Sequence, residues 1–588
     1  MERSLSRWYP LVLAVIVVGV YANSLQGGHF ILDDEPSILK NLDIHQILPL
    51  WRAPEVVSNP AVNNRPVVRL SLALNYAWGE FDIRGYRLFN LGIHLLCGLT
   101  LYGVVRHALR SAAFARRYDA VASDLAFAVA LIWLVHPLQT QCVNHTIQRS
   151  TSLMALCYLL TLFCVQRGID TNKRLWYAIG VGACVLGMGC KEAMATAPVA
   201  ILLYDRTFAA GTFRRALEKR WQLYLGLAST WGLLAFLMAQ NSHGASIDMS
   251  QPYIIWHYAL NQSRIILEHY VANIFWPDLL TNFYGPIRYV RIADVWPFSL
   301  ALCSLLVGTA YALVRSPVIG FAGGWFFLLL APTSSIAAIF WEAMAERRPY
   351  LAIASVLALV VVAGYSGLAR WVALGGLSPR SMRWVCNTWL VVVVVGLGGR
   401  TMVRNQDYLD LVTLWRGEAE YVEGVIKSLD LVLVKVAWYH ADVYIQLAQA
   451  YAEQEKWEQA QDLYTQILQA NPNNFKAHKW QGYLYKDRDM PDEAIYHFRR
   501  VVALNPDAYA VHNALGALLC MQGAVDEGIG HLQRAVQIAP TYVWGYSNLG
   551  AALKLQQRDE EARLYLDRAL QIAPNFSPAL ENLVDLRE

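Results

Sequence analysis

The chain has 588 residues, of which 56% are hydrophobic and only 16% are charged, a composition too apolar for an ordinary soluble protein. Its formal net charge of +4 gives no electrostatic basis for binding nucleic acid. The nine cysteines show no metal-ligand spacing, so no metal site is indicated by them.

Apolar runs recur up to residue 400, and many approach the roughly 20 residues that a helix needs to cross a hydrocarbon core. They predict eleven membrane spans. Residues 251–276 are left out because polar and charged residues interrupt them, and we expect this helix to lie along the outer membrane interface. The predicted spans are 8–26, 86–106, 121–137, 150–166, 175–190, 193–205, 221–240, 296–314, 318–333, 349–369 and 384–400.

Basic residues cluster in alternate short connections between these spans. By the positive-inside rule those connections are cytoplasmic, which places the amino terminus inside and the carboxy terminus outside. The clusters are Arg3 and Arg7; Arg106, Arg110, Arg116 and Arg117; Arg167, Lys173 and Arg174; Arg214, Arg215, Lys219 and Arg220; and Arg370, Arg380 and Arg383.

Three carboxylates follow the first span in the stretch FILDDEP, at the start of an outer loop predicted over 27–85. Four other polar clusters fall on the same outer side: Arg65-Pro66, His136 to Arg149, Lys191-Glu192, and Glu346-Arg347-Arg348. Their convergence is what a site at a membrane surface requires. For Asp33, Asp34 and Glu35 the alternative is a helix start, because Asp before Pro is a common N-terminal signal.

From residue 441 the sequence repeats with a period of 34 residues. A proline ends each repeat, and a small residue recurs inside it, which is the tetratricopeptide pattern. Each unit is a helical hairpin, and the units stack into a solenoid with a concave groove. The predicted repeats are 441–474, 475–508, 509–542 and 543–576, followed by a capping helix; the prolines are Pro472, Pro506, Pro540 and Pro574.

Residues 405–440 are predicted to form a helical connector, and its stretch LDLVLVKVAWYH is apolar enough that we expect it to pack against something. The fold class is therefore all-α: a polytopic membrane bundle over 1–404, the connector, and the solenoid over 441–588. Asparagine amides and other polar groups on the first helices of the repeats are candidates for binding an extended acceptor peptide, the alternative being a solvated surface. They are Lys476, Lys479, Tyr483, Lys486, Asn513, Asn548 and Asn582.

A series of motifs resembles the transmembrane and tetratricopeptide repeat-containing O-mannosyltransferases and their bacterial relatives, within the C-type glycosyltransferases. The stretches are FILDDEPSI, NNRPVVRLSLALNY, YRLFNLGIHLL, HPLQTQCVNHTIQRSTSL, GMGCKEAMATAPVAILLYD, PTSSI with AERRPYL, and RNQDYLDLVTLW. Together they cover most of the chain in the expected order. The resemblance implies a sugar carried on a polyprenyl phosphate and its transfer to a protein hydroxyl on the outer side of the membrane.

Such a transfer needs a general base, because the acceptor hydroxyl loses a proton as it attacks. Asp33 and Asp34 are the candidates, and Glu35 is placed near the acceptor or near a Mg²⁺ or Mn²⁺ ion, for which carboxylates are suited. Cations must offset the charge that grows on the leaving phosphate. The candidates for that role are Arg65, Arg149, Lys191, Arg347 and Arg348, and the supporting residues are His136, Glu192, Glu346 and His94.

Some of these residues have a simpler alternative. Lys191-Glu192 and Glu346-Arg347 could be local ion pairs, and His94 could form an interhelical hydrogen bond.

The compact chain favours a bacterial inner membrane, with the catalytic loop and the repeats in the periplasm; the alternative is the endoplasmic reticulum, with both in the lumen. The expected partners are the lipid donor and a protein acceptor held by the groove. Two other functions stay open at this stage. One is a membrane-anchored scaffold without chemistry, and the other is a lipid-linked glycan ligase.

Overall fold

The computed structural model describes residues 6–45, 62, 64–239, 252–278, 280–281, 292–336, 344–428 and 436–586. Regular structure within these ranges is entirely helical. The chain divides into two compact units, Met1–Leu414 and Trp415–Glu588. The division falls inside the helix Leu411–Ser428, whereas the sequence places the end of the membrane domain at residue 404. Of the apolar connector stretch, residues 429–435 lie outside the described ranges.

The first unit is a bundle of helices joined by short 3₁₀ and π-helical turns. Its helices are α1 (Tyr9–Tyr21), α2 (Pro66–Gly79), α3 (Ile83–Leu109), α4 (Ala122–Val135), α5 (Thr140–Asn144), α6 (Arg149–Thr171), α7 (Arg174–Met188), α8 (Ala197–Asp205), α9 (Phe213–Ala239), α10 (Pro252–Arg264), α11 (Ala272–Phe275), α12 (Ile292–Arg315), α13 (Pro317–Ala331), α14 (Ile353–Ala373) and α15 (Pro379–Asp407). A π-helical turn over Glu35–Leu39 follows the aspartate pair, and a 3₁₀ turn over Glu192–Thr196 follows Lys191.

Among the described residues, eight helical segments are long and apolar enough to cross a membrane, or nine if the bent pair Ala122–Val135 and Pro137–Asn144 is one span. The predicted number of eleven therefore differs from the structure. Helices α7 and α8 replace the predicted spans 175–190 and 193–205, and they have only 15 and 9 residues. At about 1.5 Å per residue neither covers a hydrocarbon core of about 30 Å by itself. The segment 252–275 is helical, and it is not among the segments that are long and apolar enough to cross a membrane.

The outer helices present apolar side chains away from the bundle. Val307 on α12 and Val392 on α15 are 69% and 65% exposed, as is usual for side chains that face lipid. The inner helix α3 packs against both α4 and α6, and buried polar groups join it to them. For example, Gln166 Nε2 donates to Val104 O at 3.2 Å. This inner layer positions the polar segment that follows α4.

The second unit is the predicted series of helical hairpins. After α16 (Leu411–Ser428), the repeats are formed by α17 (Val436–Glu453) with α18 (Trp457–Ala470), α19 (Phe475–Asp487) with α20 (Pro491–Leu504), α21 (Tyr509–Met521) with α22 (Val525–Ile538), and α23 (Val543–Leu555) with α24 (Asp559–Ile572), and α25 (Ser577–Asp585) closes the series. The small residues lie where the two helices of a hairpin meet. A Cβ at Gly516 would lie 2.7 Å from Gly528 O, so this crossing leaves room only for glycine.

Candidate functional site

The two adjacent aspartates lie in different environments. Asp33 is exposed, whereas Asp34 is fully buried. The Asp34 carboxylate accepts hydrogen bonds from the backbone N–H groups of Ile147 at 2.7 Å, Ile31 at 3.2 Å and Thr146 at 3.3 Å. Burial raises the pKa of Asp34 to about 7, although these backbone bonds oppose the shift. Asp34 therefore anchors the loop from within and leaves Asp33 on the surface.

Asp34 does not act as the helix cap that the sequence offered as an alternative. The π-helical turn Glu35–Leu39 begins directly after it, but no side-chain hydrogen bond caps that turn. Glu35 points to the surface, where its carboxylate lies 2.6 Å from Lys40 Nζ. No group of three or more His, Cys, Asp or Glu side chains suited to a metal ion occurs in the part of the chain that the structure describes.

A short segment after α4, residues 141–147, connects the loop that carries Asp33 and Asp34 to the cations nominated from the sequence. At one end, Thr146 and Ile147 bind Asp34. At the other end, Gln141 Oε1 accepts a hydrogen bond from the backbone N–H of Arg347 at 2.8 Å. Asn144, between them, donates to Asn405 Oδ1 at 2.8 Å and so joins the segment to α15. We call residues 141–147 the bridging segment.

Three of the cations nominated from the sequence lie close together beside this segment. Lys191 interacts electrostatically with both Arg65 and Arg347. Arg65 Nη2 lies 3.1 Å from each carboxylate oxygen of Glu192, and Lys191 Nζ donates to Thr151 Oγ1 at 2.7 Å. Burial first, and then the two guanidinium groups, lower the pKa of Lys191 to about 7. We call Arg65, Lys191 and Arg347 the cationic cluster.

The other two nominated cations have internal partners. Arg149 is fully buried, and its guanidinium donates to Asn75 Oδ1 at 2.5 Å, Ser71 O at 3.1 Å and Tyr86 O at 3.2 Å. Arg348 donates from Nη1 to the hydroxyl of Tyr258 at 3.2 Å. In this structure the guanidinium of Arg149 holds α2 and α3 against α6.

The supporting residues are also bonded within the bundle. His94 Nε2 donates to Leu134 O at 2.9 Å, and His94 Nδ1 lies 2.8 Å from the Tyr350 hydroxyl. His136 Nδ1 accepts from the backbone N–H of Leu138, and its Nε2 donates to Ile274 O at 3.1 Å. The buried carboxylate of Glu346 lies 3.5 Å from Arg404 Nη2. No individual role was assigned from the sequence to Arg404, Gln141, Asn144 or Arg87, because their partners, such as Glu346 for Arg404 and Tyr408 for Arg87, are distant in sequence.

In the repeat unit, the nominated groove residues lie on the first helices of their hairpins, except Asn582, which lies on the closing helix α25. Asn548 Nδ2 donates to Asn513 Oδ1 at 2.9 Å, which joins the first helices of the third and fourth repeats. Lys476 pairs with Asp442 of the preceding repeat at 2.9 Å. The Tyr483 hydroxyl donates to Ala510 O of the next repeat. The remaining nominated residues have partners within their own helices: Lys479 lies over the Trp480 ring, Lys486 pairs with Asp487, and Asn582 donates to Pro578 O.

Comparison with known proteins confirms the repeats. Tetratricopeptide repeat models match residues 441–474 and 507–575. Among solved structures, the chain is similar to YrrB, described as a tetratricopeptide protein with an unusual peptide-binding site, at 19% identity and a TM-score of 0.24, over 31% of this chain and 95% of that one.

The curated relatives extend into the membrane unit. The chain is 23% identical to the protein O-mannosyl-transferase TMTC3 of Mus musculus over 535 residues, which are 82% of this chain and 53% of that protein. It is 29% identical to the protein O-mannosyl-transferase Tmtc1 of Drosophila melanogaster over 186 residues, which are 30% of this chain and 20% of that protein. The chain thus spans about a fifth to a half of the length of these relatives.

The apolar helices and the hairpins define a multi-pass membrane protein that carries a tetratricopeptide solenoid. Within that class, the chain resembles the transmembrane and tetratricopeptide repeat-containing O-mannosyltransferases, as its motifs indicated.

Proposed function

We propose that the chain is an integral-membrane, C-type glycosyltransferase. It moves a sugar from a polyprenyl-phosphate donor to a Ser or Thr hydroxyl of a protein on the non-cytoplasmic face, in a bacterial inner membrane. The observation that carries this proposal is the bridging segment, which contacts the acidic loop at Ile147 and the cationic cluster at Arg347. The segment thus links the loop that carries the proposed base to the proposed phosphate-binding cations, and these are the two kinds of group that the reaction requires.

In the proposed mechanism, Asp33 is the general base. As the acceptor oxygen attacks the anomeric carbon, its proton passes to the Asp33 carboxylate, the bond from that carbon to the phosphate oxygen breaks, and the lipid phosphate leaves with the electron pair. The leaving phosphate is stable as an anion, so no general acid is required, in contrast to glycoside hydrolysis. Asp34 is assigned to positioning because its oxygens are occupied by backbone N–H groups.

Arg65, Lys191 and Arg347 are assigned to the donor phosphate. Guanidinium groups match phosphate oxygens in geometry, and an ammonium adds a compact charge. Preorganised cations of this kind stabilise charge that develops in the transition state. We assign Arg149 to the structure of the bundle rather than to the donor, because its donors bind Asn75, Ser71 and Tyr86.

The test is sugar transfer in membrane vesicles that contain the full-length chain, with polyprenyl-phosphate mannose as the first donor and other polyprenyl-phosphate sugars after it. Intact-mass analysis of envelope proteins supplies the acceptor readout. Asp33→Asn is expected to lower the transfer rate at least 100-fold, while Asp43→Asn, a carboxylate on the same loop, keeps the wild-type rate. Full activity in Asp33→Asn would remove the proposed base. Sugar found only on lipid or polysaccharide would overturn the protein acceptor.

A further inference from the structure

Arg87 lies near the start of α3 and is fully buried against the chain that leads to the aspartates. Its Nη1 donates to Ser24 O at 3.0 Å and also to Gly27 O. Its Nη2 donates to Tyr408 O at 2.9 Å. One planar guanidinium therefore joins the end of the first span, the glycine turn after it and the residue that follows α15.

The glycine turn is shaped to receive this side chain. Gly28 has a φ of +119°, which disfavours any residue with a Cβ. A Cβ at Gly28 would also lie 2.5 Å from Arg87 Nη2 and 2.6 Å from Tyr408 O. Backbone conformation and space thus independently require glycine where the guanidinium meets the turn.

The loop that carries Asp33 is held on both sides. On its amino-terminal side, Arg87 binds Ser24 and Gly27, and the ring of Phe30 packs edge-on against Tyr86, the neighbour of Arg87, with ring centroids 5.5 Å apart. On its carboxy-terminal side, Asp34 binds Thr146 and Ile147. The two anchors carry opposite charges and interact electrostatically. Asp33 is exposed directly before the second anchor.

We propose that Arg87 is a positioning residue that holds the Asp33 loop in its reactive place by clamping Ser24, Gly27 and Tyr408; this inference rests on the proposed function. Arg87 touches no reacting atom and acts through the loop. A lysine at this position keeps the charge but lacks the planar fork that reaches three carbonyl groups from two nitrogens. The loop is then anchored by Asp34 alone.

The experiment compares Arg87→Lys and Gly28→Ala with the wild type in the full-length protein in lipid nanodiscs. The control is Gln166→Leu, which removes a buried hydrogen bond between α3 and α6 at the other end of α3. Amide hydrogen exchange over residues 26–35 reports the loop, and steady-state transfer from polyprenyl-phosphate sugar reports the reaction. Arg87→Lys and Gly28→Ala are expected to speed exchange at least 10-fold and to lower kcat at least 10-fold with KM for the donor within twofold. The control is expected to change neither.

Two results would overturn the proposal. Unchanged exchange in both Arg87→Lys and Gly28→Ala would show that no clamp exists. Faster exchange with an unchanged kcat would show that the clamp does not position the base. Failure of the proposed function is distinguished from failure of this inference. If the wild-type protein transferred no sugar, the proposed function would be wrong, and hydrogen exchange over residues 26–35 would still show whether Arg87 holds the loop.

Discussion

Neighbouring carboxylates with identical chemistry are assigned different roles by their surroundings. Asp33 is exposed, while Asp34 is buried under three backbone N–H groups. The charge of Asp34 also interacts electrostatically with the buried cations Arg87 and Arg149. Substituting either aspartate is expected to stop the reaction, but for different physical reasons.

Asp34→Asn is expected to lose both activity and stability. An asparagine amide places an NH₂ group where the carboxylate accepts backbone hydrogen bonds, so at least one buried N–H loses its acceptor, at a cost of about 1–3 kcal/mol. Thermal unfolding of the purified protein is expected to occur several degrees lower, whereas Asp33→Asn keeps the wild-type melting temperature. Equal melting temperatures for the two variants would contradict the anchoring role of Asp34.

Lys191 predicts a pH limit on donor use. Its pKa of about 7 means that the ammonium loses its proton as the pH rises above neutrality. The value of kcat/KM for the lipid donor reports the ionisation of the free enzyme, so it is expected to fall above pH 7 in the wild type. Lys191→Arg keeps its positive charge, so its kcat/KM is expected to stay nearly constant above pH 7. Lys191→Met has no charge at this position, and its kcat/KM is expected to be low at all pH values. If kcat/KM of Lys191→Arg fell above pH 7 as in the wild type, the ionisation would belong to another group.

Charge pattern nominated some residues of the candidate site and missed others. Lys191 and Arg347 could be nominated because each is a cation next to a predicted span end, and Arg65 because it lies in the predicted outer loop. The pattern could not separate them from Arg149, because the partners of Arg149 come from α2 and α3 and lie 60 or more residues away in sequence. Arg87 was missed for the same reason, since its partners are backbone carbonyls at Ser24, Gly27 and Tyr408.

At the scale of elements, hydropathy located the long helices but not their number. The span predicted over 86–106 lies within α3, which is longer at both ends. The span predicted over 150–166 lies within α6, which is longer mainly at its carboxy-terminal end. Apolar composition alone also suggested spans at 175–190 and 193–205, where the chain forms short helices separated by the turn at Lys191. The turn carries Lys191 of the candidate site, and its polar residues interrupt the apolar pattern.

The hairpins of the second and third repeats each contain a histidine pair between their two helices. His478 Nδ1 lies 2.9 Å from His497 Nδ1, and His478 Nε2 lies 3.0 Å from Pro472 O. Because the carbonyl only accepts, His478 carries its proton on Nε2 and accepts from His497 at Nδ1. His512, His531 and Pro506 repeat this arrangement 34 residues later, with distances of 3.0 and 3.1 Å.

These pairs predict that the repeats lose stability in acid. Burial is the largest cause that lowers the pKa of the four imidazoles, that of His497 to about 4. The partner histidine adds to this effect at His497 and His531, and an arginine adds to it at His478 and His512. The unfolded repeats therefore bind protons before the folded ones, so the stabilisation is complete above about pH 6.5 and is lost as the pH falls toward 4. One pKa unit corresponds to about 1.4 kcal/mol. Pulse proteolysis of the repeats in the full-length protein between pH 7.5 and 4.5 measures this loss.

The first repeat supplies the matched variant. It has Tyr444 and Leu463 at the positions of His478 and His497. The double substitution His478→Tyr with His497→Leu is therefore expected to leave the hairpin folded and to remove about half of the acid-dependent loss, because the pair at His512 remains. An acid dependence equal to that of the wild type would assign the effect to other groups.

At the scale of the whole molecule, sequence periodicity determined the second unit more completely than the first. A 34-residue repeat contains its own packing, since each hairpin contacts its neighbours and little else. The small residues and the closing prolines therefore located all four hairpins, and the repeat models match 441–474 and 507–575. The membrane unit has no such repetition, and its site is assembled by contacts between segments distant in sequence, such as Asp34 with Ile147.

If the repeats recruit the acceptor, their contribution must depend on the size of the acceptor. Asn513→Ala with Asn548→Ala removes the amide pair that joins the first helices of the third and fourth repeats, and it is expected to raise KM for a folded or long acceptor protein about 10-fold or more. Transfer to a short Ser/Thr peptide and KM for the lipid donor are expected to stay within twofold, because neither needs the groove. Arg558→Ala, an exposed side chain paired with Glu561 outside the nominated groove, is the control. An equal loss with long and short acceptors would mean that the asparagines support the solenoid and do not recruit the acceptor.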